Sequence, residues 1–166
     1  MLSIKNVSIS FKSEEQYNTV VKSVSFNLNH KQILGIVGES GSGKSVTSLA
    51  ILGLLSKNAK VEGEIIFNDF DVTKIKEKEF RKIRGNQISM IFQEPMSSLN
   101  PSLTCGFQVE EILLQHKKIS KKEAKVLVIE LFNKVKLPRA ETIFSQYPHQ
   151  LSGGQKQRVM IAMAIA

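Results

Sequence analysis

A chain of 166 residues with 42% hydrophobic content is long enough to bury a core, and its length predicts about one domain. Its most apolar stretches, residues 33–37 and 159–166, fall far short of the roughly 20 residues a membrane-spanning helix needs, and no charged-then-apolar leader is read before Met1, so neither a span nor an export signal is expected. The net charge of +8 could suit nucleic acid or acidic lipid, while the single cysteine, Cys105, has no disulfide or metal-spaced partner and fits a reducing cytosol.

In chain order, Leu2, Ile4, Val7 and Ile9 lead into Phe11, and residues 20–28 alternate apolar and polar side chains; both predict antiparallel strands with one buried face. Residues 33–37, Ile-Leu-Gly-Ile-Val, form a short continuous apolar run, the pattern expected of a parallel strand buried on both faces. A glycine-rich turn follows. Val46, Leu49, Ala50, Gly53 and Leu54 then recur at helical spacing and predict a helix over residues 44–55, completing a βα unit.

Residues 63–67 predict another strand, 77–83 a short helix, and 88–92 a buried strand ending at Gln93. Pro95 and Pro101 impose a loop. Ser120-Lys121-Lys122-Glu123 is a capping box that starts a helix to about Lys136, closed by Pro138. Lys117, Lys118, Lys121, Lys122 and Lys125 crowd that helix start and supply much of the positive charge, which reads as a solvated helix face. Residues 107–144 carry no strand signal, so a mainly helical insertion is expected within an α/β core.

The chemistry begins at Gly38-Glu39-Ser40-Gly41-Ser42-Gly43-Lys44-Ser45, which fits the phosphate-binding pattern G-x-x-x-x-G-K-[ST] between a predicted strand and a predicted helix. Glycines let such a loop take positive φ and bring backbone N–H groups around phosphate oxygens, and the helix N-terminus adds a favourable partial charge. Lys44 would reach the β and γ phosphates, and the Ser45 hydroxyl is placed to ligate Mg²⁺. A loop of this kind alone does not distinguish kinases, GTPases, recombinases and transport ATPases.

A second motif does. Leu151-Ser152-Gly153-Gly154-Gln155 reads as a serine cap and two glycines that let backbone approach a charged group, with Gln155 onward a helix aimed at it. It is identical to the signature sequence of ABC ATPases, and its spacing after the P-loop resembles that family over essentially the whole chain. The resemblance implies a P-loop NTPase (RecA-like) α/β core with an antiparallel β subdomain and a helical insertion. Residues 1–95 and 151–166 would form the β subdomain and nucleotide-binding core, and residues from about 96 to 150 the helical subdomain.

The resemblance also assigns roles. Nucleotide, ATP with Mg²⁺, would be held by Phe11, Gly38, Ser40, Gly41, Ser42, Gly43, Lys44, Ser45 and Val46, with Ser45 and Gln93 meeting the metal and Lys44 and Gln93 serving catalysis. Phe11 takes the place of the family's adenine-stacking aromatic at the end of the first strand; Tyr17 competes for it across the polar insert of residues 12–18, and a core phenylalanine is the alternative. Ser152, Gly153, Gly154 and Gln155 would face the γ-phosphate bound by another subunit, which implies a second ABC ATPase subunit, identical or not, closing head to tail.

Residues 93–101, Gln-Glu-Pro-Met-Ser-Ser-Leu-Asn-Pro, and Tyr147-Pro148-His149-Gln150 resemble the peptide and nickel importer group. That implies an ATP-binding subunit at the inner face of the cell membrane, docked on permease subunits through the Gln93 loop and helical region, where Leu99 and Phe107 would be docking surface or core. The alternatives are a soluble ABC ATPase acting on nucleic acid or ribosomes, which the 93–101 loop argues against, and a non-hydrolytic nucleotide-binding module. His149 reads as a packing or cap residue. The family's metal-binding aspartate and general-base glutamate should follow the signature helix; Asp69 and Asp71 precede Gln93 and read as turn residues. Residues 1–166 are therefore expected to lack hydrolytic activity by themselves.

Overall fold

The computed structural model describes residues 1–14, 16–93 and 98–166, which divide into two compact units, Met1–Arg81 and Lys82–Ala166. In the first, strands β1 (Leu2–Ser13), β2 (Gln16–Leu28), β3 (Ala59–Phe67) and β4 (Phe70–Asp71) form an antiparallel sheet in the order β2-β1-β3-β4. Alternation along β1 decides its inner face. Ile4 stands opposite Phe26 and Ile65, Ile9 opposite Val21 and Val61, and Ile4, Val7, Ile9 and Ile65 are fully buried. The β1–β3 register slips between Lys5 and Ser8; there Gly63 adopts φ 92, and an added Cβ would lie 2.5 Å from the Asn6 carbonyl oxygen, so only glycine fits this bulge.

Helix α1 (Lys44–Ile51) contributes Ala50 to the same core, with Val46 and Ile51 packed against it. It is shorter than the periodicity predicts. Gly53 takes φ 60, its N–H donates to the Ala50 carbonyl at 3.0 Å, and the Leu54 N–H donates to the Leu49 carbonyl at 2.9 Å. This pair of bonds is a Schellman cap, so Gly53 ends the helix and does not extend it. Helix α2 (Glu77–Ile83) follows β4 with the predicted bounds.

Two expected strands do not form. Residues 33–37 have no strand pairing, with Ile33 100% and Val37 96% exposed. Residues 88–92 make only an isolated parallel bridge, Arg84 to Ile88, and Ile91 and Phe92 are exposed. A central parallel strand has no hydrogen bonds of its own and depends on neighbours to satisfy its backbone. Among the described residues neither run has such a neighbour.

The second unit is helical, as its sequence predicts. Helices α3 (Cys105–His116), α4 (Lys121–Lys134) and α5 (Ala140–Ser145), a 3₁₀ turn at Pro148–Gln150 and helix α6 (Gly153–Ala164) surround Cys105, Val109, Leu113, Val128, Phe132 and Val159, all fully buried. At the start of α4, the Glu123 N–H donates to Ser120 Oγ at 3.3 Å while Glu123 Oε2 accepts from the Ser120 N–H at 2.8 Å, which realises the capping box. The five lysines from 117 to 125 are exposed.

Candidate nucleotide-binding site

The Gly38–Ser45 loop lies in the first unit and ends directly in α1. Gly41 and Gly43 take φ 84 and 89, the left-handed region that glycine enters without penalty. Gly43 is also required by packing, because a Cβ there would meet the Val21 side chain at 2.7 Å. As the N-cap of α1 it offers no side-chain acceptor, and no acidic residue occupies the first turn. The first N–H groups of α1 therefore have no carboxylate competing for them, and the positive end of the helix dipole is open to an anion.

Lys44 curls back over the loop. Its Nζ donates to the Gly38 carbonyl at 2.7 Å, the Glu39 carbonyl at 2.6 Å and Ser42 Oγ at 3.2 Å. The ammonium thus stands on the concave side of the loop, held by neutral acceptors that a phosphate would outcompete. Ser45 is exposed in the first turn of α1, and Ser40 is exposed within the loop. Thr47, which no motif in the sequence singles out, is buried and donates from Oγ1 to the Gly43 carbonyl at 2.9 Å, fixing the loop to the helix. Its signal was faint: a threonine two residues past a phosphate-loop serine is otherwise an ordinary helix residue.

Both aromatic candidates for base stacking are on the β1–β2 hairpin. Phe11 is half-buried, opposite Asn18 and Ala59, and packs against the sheet core. Tyr17 is exposed, with Lys60 Nζ 6.0 Å from its ring centroid. Asp71, the last residue of β4, accepts from the Thr73 N–H at 3.0 Å, from Thr73 Oγ1 at 2.6 Å and from Lys74 Nζ at 2.6 Å, in the turn that follows that strand, whereas Asp69 lies in the β3–β4 turn. Among the described residues no group of three or more His, Cys, Asp or Glu could hold a metal ion. A magnesium ion here would take its oxygens from the Ser45 hydroxyl, phosphate and water, a donor set that suits it.

The signature lies in the second unit. Ser152 Oγ accepts from the Gln155 N–H at 3.3 Å, and Gln155 Oε1 accepts from the Ser152 N–H at 2.8 Å, a reciprocal cap on α6. Ser152, Gly153 and Gly154 are exposed, and a Cβ added to either glycine would meet nothing within 4 Å. Packing within the chain does not require glycine at those positions; close approach from outside would. Gln93 is exposed and lies in no helix or strand, and Glu94, Pro95, Met96 and Ser97 of the 93–101 loop lie outside the described residues. Leu99 is buried, whereas Phe107 is exposed. His149 stacks on Tyr147 with centroids 5.6 Å apart. Burial pushes the Cys105 thiol up to about 11, despite the opposing charge of Lys156, so it is no nucleophile at neutral pH.

A family model whose description is "ABC transporter" matches residues 21–166. The chain is 47% identical over its whole length to the oligopeptide transport ATP-binding protein AppD of Bacillus subtilis and to the dipeptide transport ATP-binding protein DppD of Lactococcus lactis, spanning 51% and 48% of them. It is 44% identical to the oligopeptide transport ATP-binding protein OppD of Escherichia coli, over 99% of this chain and 49% of that one. The chain thus spans about half the length of these relatives. Among solved structures, the dimeric post-hydrolysis state of the ATP-binding cassette MJ0796 bound to ADP and Pi matches all of this chain and 69% of its own, with a TM-score of 0.88 and 32% identity.

Proposed function

Because the chain belongs to the ABC transporter family, we propose that it is the nucleotide-binding part of a subunit that binds and hydrolyses ATP to power solute import, with peptides or nickel as the cargo. The observation that carries this reading is the α1 N-terminus, free of acid and side-chain cap, wrapped by the Gly38–Ser45 loop with the Lys44 ammonium folded onto it. Gly38, Ser40, Gly41, Ser42, Gly43 and Val46 shape the phosphate cradle. Lys44 leaves its carbonyl acceptors for the β and γ phosphates, and Phe11 or Tyr17 stacks on the base. Ser45 and Gln93 would hold Mg²⁺, which supplies charge neutralisation on the phosphates. The names of the relatives, oligopeptide and dipeptide transport ATP-binding proteins, support the peptide cargo.

A P-loop and a signature in one chain fit a head-to-tail pair. The exposed Ser152, Gly153 and Gly154, with the half-buried Gln155, would meet the γ-phosphate held by a second ATP-binding subunit, identical or not, and the dimeric MJ0796 cassette supports such a pairing. In this arrangement the loop and α1 of the first unit hold the nucleotide, and the helical region from about residue 96, with the Gln93 loop, docks on integral membrane permease subunits. No described helix is long and apolar enough to cross a membrane; the subunit would act from the inner face, through those permeases, as the transport role of the relatives supports.

Calorimetric titration of the complete protein with Mg-ATP tests the core of this reading. A charge-assisted bond contributes about 1.5–3 kcal/mol, so Lys44→Ala should weaken ATP by about 10- to 100-fold. Equal affinity of mutant and wild type would sink it.

A further inference from the structure

The turn that ends α4 is strained and is held from another helix. Lys136 takes φ 61, a left-handed conformation that L residues adopt at a cost. Its N–H donates to the Asn133 carbonyl and the Leu137 N–H to the Phe132 carbonyl, both at 2.9 Å, so a lysine occupies the position where this cap ordinarily has glycine. Two carbonyls of the same turn accept from α6: Arg158 Nη1 donates to Val135 O at 2.6 Å and to Lys136 O at 3.2 Å. A guanidinium there is favoured by the negative end of the α4 dipole. It is also held there against like charge, because Lys134 and Lys136 line the same groove as Arg158 and Gly154.

Arg158 lies six residues beyond Ser152 on α6. Leu151 and the apolar anchors of that helix, Val159, Met160 and Ala162, are buried in the unit's core, but apolar contact is non-directional. Hydrogen bonds from one nitrogen to two carbonyls of a rigid turn are directional. We propose that Arg158 is a positioning residue: it clamps α6 to the α4 turn and thereby fixes the direction in which the Ser152–Gly154 backbone is presented to the nucleotide of the second subunit. This rests on the cross-subunit reading of the signature.

The test uses the complete protein and measures monomer ATP affinity, ATP-driven dimerisation and thermal midpoint for Arg158→Gln, Arg158→Lys, Ser152→Arg and the double variant Arg158→Gln/Lys136→Gly. Arg158→Gln should leave monomer ATP affinity unchanged and raise the concentration for half-dimerisation about tenfold, as loss of charged hydrogen bonds predicts. Arg158→Lys should recover part of that loss. Glycine at 136 relieves the strain, so the double variant should regain thermal stability without regaining dimerisation, which a merely structural role would not produce. Normal dimerisation of Arg158→Gln, or its recovery together with stability in the double variant, overturns the proposal. If Ser152→Arg blocks dimerisation and Arg158→Gln does not, the clamp alone fails; if Ser152→Arg also dimerises normally, the cross-subunit reading fails with it. Should Arg158→Gln not fold, Arg158→Lys and the double variant decide by the same criteria.

Discussion

A methyl group added at Gly106 would lie 2.3 Å from the Phe144 ring, whereas one added at Gly153 meets nothing within 4 Å. The same substitution should therefore divide fold from function. Gly106→Ala forces α3 away from the Phe144 side chain and should lower stability by about 1–3 kcal/mol, as overpacking does, with little change in ATP affinity once folded. Gly153→Ala sits in the first turn of α6, where alanine is favoured over glycine by roughly 0.5–1 kcal/mol, so stability should hold or rise. What it should lose is ATP-driven dimerisation, because the new methyl group occupies the surface that a second subunit's phosphate would approach. Urea midpoints and dimerisation measured on both variants check the contrast, and the idea fails if Gly153→Ala dimerises like wild type.

At the scale of elements, the caps are legible in the sequence, whereas the apolar runs at 33–37 and 88–92 predict strands that do not form. Ser120 with Glu123, and Ser152 with Gln155, are each complete within four residues, so sequence alone contains everything that decides them. Periodicity reads Gly53 as a helical residue, whereas its bond to Ala50 and that of Leu54 to Leu49 make it the cap; Pro138 marks the end of α4 to within two residues, although Lys136 stands where glycine would announce the turn. Residues 33–37 and 88–92 failed for a different reason: an apolar run records a preference for burial, but strand formation depends on partners elsewhere in the chain. The α4 cap also has a pH signature. The Ser120 backbone N–H, and then its hydroxyl, hold Glu123 below its ordinary value of 4.5. A depressed folded pKa gives stability that is present above the ordinary value and lost as pH falls through the depressed one. Glu123→Gln should thus be less stable than wild type above the ordinary value of 4.5, and the gap should close as wild type is acidified below it. A gap that is constant in urea melts across that range would show that the carboxylate does not bear on the cap.

For the molecule as a whole, the question is whether residues 1–166 can complete a catalytic cycle. Attack on the γ-phosphate by water needs a carboxylate able to take or orient its proton, in addition to the phosphate cradle. Asp71 does not suit that task. Partial burial pushes its pKa up, but hydrogen bonds from Lys74 and Thr73, together with the Lys74 charge, outweigh it and hold the carboxyl below its ordinary range, with its oxygens engaged in the turn. Asp69 is exposed in the β3–β4 turn. The binding half of the chemistry has no such gap, since the loop glycines, Lys44, Ser45 and Thr47 are all local to α1 and its approach. Residues 1–166 should therefore bind Mg-ATP, with Lys44→Ala weakening it, yet release phosphate no faster than buffer. A chain of the relatives' length should turn over at equal protein and nucleotide. The decisive measurement is phosphate release from the two side by side: steady turnover by residues 1–166 at the longer chain's rate, lost on Lys44→Ala so that contamination is excluded, would show that a carboxylate other than Asp69 and Asp71 serves as the base.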